Sequence, residues 1–151
     1  EAVDLYRTVA QDHPDRFNAY LAGSLANLGR RYSELGKPDL ALPPTQEAVD
    51  LYRTVAQDHP DRFNGNLAKT LSDLGCRYSE MGKPDLALPP AQEAVKICRT
   101  LAKDDPDRFN AYLAGSLTDL GRRYSELDRD KEAARAFSES ERLRSSGGHG
   151  H

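Results

Sequence analysis

The sequence predicts an all-α fold: an α-solenoid of antiparallel helix hairpins, about seven helices long. Three observations predict it. First, EAVDLYRTVAQDHPDRF at residues 1–17 recurs unchanged at residues 47–63 and returns as EAVKICRTLAKDDPDRF at residues 93–109. Second, the offset is 46 residues both times, so the chain is an array of one repeated unit. Third, apolar residues within each unit follow a helical period, with Pro and Gly between the periodic stretches.

The elements follow in order. Val3, Leu5, Tyr6, Val9 and Ala10 have helical spacing and predict a helix over residues 1–13 that has no hairpin partner. His13-Pro14-Asp15 breaks it. Pro cannot extend a helix but suits the first turn of the next, where Asp15 favours the positive end of the helix dipole. The next helix is expected from Pro14 to Leu35, with Phe17, Leu21, Leu25, Leu28, Tyr32 and Leu35 as its apolar stripe. Gly36 ends it, because Gly accepts the left-handed cap conformation.

Pro38 opens the following helix, but Pro43-Pro44 lies only one turn further on. An interior Pro costs about 3 kcal/mol, through a lost N–H donor and ring crowding. The expectation is therefore a short turn over residues 39–42 and a restart at the prolines, running to about Gln57. Pro89-Pro90 repeats the pattern, and the third copy lacks it. Residues 130–137 are instead an uninterrupted helix former. The polar continuation to Arg144 suits a terminal cap. The hairpins are thus placed at about residues 14–58, 60–104 and 106–144. Residues 145–151 read as a flexible tail or cloning remnant.

Composition excludes several functions. The formal charge of -3 leaves no basic excess to neutralise a phosphate backbone, so no nucleic acid is expected as a partner. Apolar runs of only a few residues predict no membrane span. The absence of a secretory signal and two cysteines in different contexts, Cys76 and Cys98, predict free thiols and a cytoplasmic setting. The chain opens inside a unit and reads as part of a longer array. The bare flank of the unpartnered first helix predicts end-to-end self-association.

No catalytic constellation emerges. His13 and His59 occupy matching turn positions where the third copy has Asp105, and read as polar turn residues. Gly23, Gly29 and Gly36 follow no strand and form no phosphate loop. Ser24, Thr70 and Ser116 have no adjacent His base. His149 and His151 lie in a Gly-rich end. The expectation is a non-enzymatic chain with no cofactor and no metal.

Leu28-Gly29, Tyr32, Gly36, Ala41 and Ala48 recur as Leu74-Gly75, Tyr78, Gly82, Ala87 and Ala94. The third unit gives Leu120-Gly121, Tyr124, Ala133 and Phe137, and departs at Asp128 and Ser140. This pattern resembles the tetratricopeptide repeat (TPR), in a long variant: the family's usual unit is about 34 residues. The extra residues fall in the 52–67 region, so both helices are expected to be longer than usual. The resemblance implies a right-handed α-solenoid and a protein- or peptide-binding scaffold whose concave groove is lined by the first helix of each hairpin. It does not extend to the family's carboxylate clamp, whose positions hold Ala26, Arg30, Gly115 and Asp119.

Comparing the copies locates the candidate ligand surface. The first two units differ at nine of 46 positions, and seven of these fall between residues 19 and 30. On a helix, positions 19, 23, 26, 27 and 30 lie within about 100° of arc, opposite the constant core positions. The first unit then offers Tyr20, Asn27 and Arg30, beside the constant Glu34. The second offers Asn66, Lys69, Asp73 and Cys76, beside Glu80. The third offers Tyr112, Asp119 and Arg122, beside Glu126. Gly23, Ala26, Ser72, Gly115 and Thr118 belong to the same face. The competing reading is a structural or self-assembling module, natural or engineered for regularity, with no dedicated ligand.

Overall fold

The computed structural model describes residues 14–149. They form six helices: α1 (Pro14–Glu34), α2 (Pro38–Asp58), α3 (Pro60–Glu80), α4 (Pro84–Asp104), α5 (Pro106–Glu126) and α6 (Asp130–His149). No strand occurs among the described residues. The further helix expected over residues 1–13 lies outside them. Each helix packs on the next in the chain, giving three hairpins, α1/α2, α3/α4 and α5/α6, stacked in sequence. Backbones also approach between α1 and α3 and between α3 and α5, but not among α2, α4 and α6. The stack is tighter along the odd-numbered helices, so it curves towards them.

The turns inside the hairpins share one geometry. Gly36 and Gly82 have φ of 72° and 71°. Gly36 N–H donates to Ser33 O at 2.9 Å and Lys37 N–H to Tyr32 O at 2.9 Å, so two carbonyls left over at the end of α1 are satisfied. Asp128 takes the same role in the third unit with φ 59°. Its neighbour Arg129 donates to Tyr124 O at 2.9 Å. The turn is imposed by the stacked hairpin even where the residue suited to it is missing.

Three expectations need correction. The proline pairs do not break their helices: Pro43 and Pro44 lie inside a continuous α2, and Pro89 and Pro90 inside α4. The carbonyls that lose a donor belong to Asp39, Leu40, Asp85 and Leu86, all exposed, where water can serve them. Pro44 and Pro90 are buried, so their rings add apolar contact on the inner side. Leu35 is not part of the core stripe: α1 ends at Glu34 and Leu35 is 68% exposed in the turn. Finally, α6 runs to His149 rather than ending at Arg144. No proline or closing turn follows Arg144, and an established helix propagates cheaply.

The core is a stripe between the helix layers. Leu25, Leu71 and Leu117 occupy matching positions and are fully buried. Ala41, Ala87, Ala48 and Ala94 are completely covered where helices come closest. A Cβ on Gly75 would stand 3.0 Å from the Ala87 carbonyl oxygen, and one on Gly121 would stand 2.6 Å from the Phe137 ring. At Gly75 the helix comes up against the backbone of its partner, and at Gly121 the missing side chain makes room for the Phe137 ring.

Constant residues bridge one unit to the next. Ser33 Oγ donates to Glu80 at 2.5 Å, and Ser79 repeats the bond to Glu126. Gln46 donates to the Tyr78 hydroxyl at 2.8 Å, and Gln92 to Tyr124 at 3.2 Å. On the outer side, Arg53 forks onto Glu93 and Arg99 onto Glu139, spanning the wider gap between even-numbered helices. Each exposed pair is worth about 0–1 kcal/mol, so these bonds set register more than they hold the stack.

Two substitutions should move stability in opposite directions. Asp128→Gly should stabilise the fold by about 1 kcal/mol, because glycine occupies left-handed φ without a Cβ penalty. Gly75→Ala should destabilise it by about 1–3 kcal/mol through overpacking. Urea denaturation followed by circular dichroism measures both.

Candidate binding groove

The odd-numbered helices carry every residue that the copy comparison selected. Tyr20, Asn27, Arg30 and Glu34 lie on α1; Asn66, Lys69, Asp73, Cys76 and Glu80 on α3; and Tyr112, Asp119, Arg122 and Glu126 on α5. Asn27, Arg30, Asn66, Lys69, Asp73, Tyr112 and Asp119 line clefts between these helices. Tyr20 and Tyr112 are 55% and 49% exposed, and Asn27, Asn66, Lys69 and Arg122 are also exposed.

This face is not simply a solvated surface. Ala26 is buried, and Arg30, Asp73, Cys76 and Asp119 are half-buried where neighbouring units meet. Arg30 Nε lies 3.3 Å from Asp73 Oδ2, while its Nη1 donates to Asn27 at 3.0 Å. At the next junction Cys76 replaces Arg30 in the sequence, and Arg123 Nη1 approaches its Sγ at 3.5 Å. The constant Glu80 and Glu126 accept from Ser33 and Ser79 of the preceding unit, so part of their role is stacking. Thr118 turns away from the groove: its hydroxyl lies 2.8 Å from Ser140 Oγ and 3.1 Å from Ala114 O.

Two features were not anticipated from the sequence. Arg77 and Arg123 are only 7% and 6% exposed. Their Nε atoms lie 3.0 and 2.8 Å from Glu80 and Glu126, close enough for ion pairing but outside hydrogen-bond geometry. Their signal was the arginine retained in every copy, at Arg31, Arg77 and Arg123, beside a varying position. The second feature is the groove floor, which comes from the even-numbered helices. Between α1 and α3 a cleft of about 240 Å³ is floored by Tyr52. Between α3 and α5 the cleft holds about 470 Å³ and is floored by Cys98, which stands in the Tyr52 position. A row of floor residues can be found by comparing second helices, where Tyr52 and Cys98 differ.

Electrostatics follow burial. Burial pushes the Asp73 carboxyl above its ordinary range, against the opposing pull of Arg30 and Arg77. Burial does the same to Asp119, against Arg122 and Arg123 and with some help from Asp73. Burial also raises both thiols: Cys76 with a contribution from Asp119, and Cys98 against a hydrogen bond from Ser116. Neither thiol is poised as a nucleophile at neutral pH.

A model of the tetratricopeptide repeat matches residues 21–61 and 67–107. The chain belongs to the tetratricopeptide repeat family. Solved structures of low identity share its fold. BtubC (BKLC) from P. vanneervenii superposes over 99% of this chain at 19% identity, with a TM-score of 0.75. The present chain spans 58% of that protein's length. The TPR domain of Arabidopsis FLU matches 82% of this chain and 95% of its own, at 18% identity and a TM-score of 0.64. A point mutant of MamA matches 93% of this chain and 90% of its own, at 20% identity and a TM-score of 0.53. A comparison with curated proteins returns no match. The family and the fold are typical of protein-interaction scaffolds.

The raised carboxyls of this TPR array make a pH prediction. A carboxyl whose pKa is higher in the folded state weakens folding as pH rises from the ordinary aspartate value through the elevated one. Asp119→Asn removes that loss for one group. At pH 7 the variant should melt at or above the parent temperature in differential scanning calorimetry. A clear drop would mean that the Asp119 charge holds the repeats together.

Proposed function

We propose that this chain is a non-enzymatic, cytoplasmic scaffold that binds a protein or peptide segment along the face formed by α1, α3 and α5. The observation carrying this reading is the division of labour between constant and variable residues. The Ser–Glu and Gln–Tyr bridges between units recur on residues common to the copies, while the Arg30–Asp73 junction and the exposed Tyr20, Asn66, Lys69 and Tyr112 vary across the curved face. The clefts between the odd-numbered helices offer side-chain-sized recesses along one line. An extended or helical segment laid along that line can place successive side chains in them. No described helix is long and apolar enough to cross a membrane.

A second reading is a stacking module with no dedicated ligand, joined end to end with further copies. The recurrence of each bridge from unit to unit favours it.

Lys69→Ala, Asp73→Ala and Arg122→Ala combined discriminate the two readings. Peptides enriched on the parent protein from a randomised display library should bind the triple variant at least about tenfold more weakly. Helicity by circular dichroism should stay unchanged. Unchanged affinity contradicts the groove reading. Sedimentation that shifts to larger species with concentration, with no peptide enriched, supports the stacking reading.

A further inference from the structure

The two clefts of the groove differ in a way that selects a ligand side chain. In the α1/α3 cleft, the Tyr52 hydroxyl stands 3.5 Å from where a Gly23 Cβ would lie and 3.4 Å from Asn66 Nδ2. The ring closes that recess. In the α3/α5 cleft the matching floor residue is Cys98, and a Cβ on Gly115 would meet nothing within 4 Å. This recess is about twice the volume of the Tyr52-floored one, with Ala68, Ala111 and the Tyr112 ring as apolar walls. A further cleft of about 520 Å³ between α1 and α3, beside Tyr20, is lined by Arg16 and Arg62 instead.

Charge also differs. Asp73 and Asp119 both line the α3/α5 cleft, facing a single lining cation, Lys69, among the described residues. Asp73 has Arg30 at 3.3 Å. Asp119 pairs with Arg122 at 3.5 Å, and that side chain is 61% exposed. In the row of Asp73 and Asp119, the first unit carries neutral Asn27, and no carboxylate is among the described residues that line the α1/α3 cleft.

We infer that the α3/α5 cleft is the anchor pocket of the groove and that it takes a cationic side chain, lysine or arginine, from the bound protein. This rests on the groove reading above. The aliphatic stem of such a side chain matches the Ala68, Ala111 and Cys98 walls, while its charged head reaches Asp119 and Asp73 at the mouth. A purely apolar side chain would strip the remaining water from Asp119 and give nothing back. An acidic one would meet two carboxylates. Burial is the main cause of the raised Asp119 pKa, ahead of the opposing pull of Arg122 and Arg123. An added cation at this carboxylate offsets part of that burial cost.

The test uses displayed randomised peptides enriched on the intact parent chain. The enriched peptides should share a Lys or Arg, and replacing it by norleucine should weaken binding at least about tenfold. Gly115→Leu fills the recess from α5 and also improves helix propensity, so it should fold and should weaken binding to a similar degree. Cys98→Tyr, which copies the closed α1/α3 cleft, should act likewise. Enriched peptides without a shared basic residue, or with affinity indifferent to Gly115→Leu, overturn the anchor pocket. If those same peptides still lose affinity in the Lys69→Ala, Asp73→Ala, Arg122→Ala variant, the groove reading stands without it. Failure to enrich any peptide overturns both.

Discussion

Gly75 and Gly121 set how closely the helices of their hairpins meet, and the rest of the structure depends on that closeness. Gly75 lets α3 reach the Ala87 carbonyl of α4, and Gly121 lets α5 reach the Phe137 ring of α6. With the pairs held this tightly, the apolar stripe centred on Leu25, Leu71 and Leu117 is covered from both sides. Each unit then offers its neighbour a fixed surface, and the solenoid grows by nearest-neighbour contacts alone. Close packing makes the geometry unforgiving, since an added methyl has nowhere to go.

Curvature follows from the same arrangement and divides the surface in two. The outer side is spanned by Arg53–Glu93 and Arg99–Glu139, long side chains suited to a wide gap. The inner side brings α1, α3 and α5 together and recesses polar groups at the junctions. Between residues 1–46 and 47–92, variation falls largely on this inner side, where it does two things. Some changes retune the junction, as where Arg30 pairs with Asp73 but Cys76 receives Arg123. Others, at Tyr20, Asn66 and Tyr112, change exposed side chains of the inner face.

Most of the architecture was legible in the sequence, and for local reasons. Pro at the start of α1 to α5, Gly36 and Gly82 at the turns and the recurring Leu stripe are one-dimensional signals, and each has its element in the structure. The proline pairs misled because a lost N–H matters only if its carbonyl is shielded, and those of Asp39 and Leu40 belong to exposed residues. Leu35 misled because a stripe says nothing about where the helix stops. The candidate site was half legible. Copy comparison found the walls on α1, α3 and α5, because those residues vary together. It missed the floor, because Tyr52 and Cys98 come from another helix and meet the walls only in three dimensions. It also missed that Arg77 and Arg123 are buried, since arginine in a polar sequence looks solvated.

In the proposed groove, constant residues carry most of the stack and the exposed variable ones carry recognition. Replacing the seven varying residues of the second unit between Gly65 and Cys76 with their first-unit counterparts tests this division most directly. Unfolding free energy and the affinity of an enriched peptide would be measured on the same protein. The division predicts an unfolding free energy within about 1 kcal/mol of the parent and loss of peptide binding. Collapse of the fold with binding retained in the remaining folded fraction would contradict it.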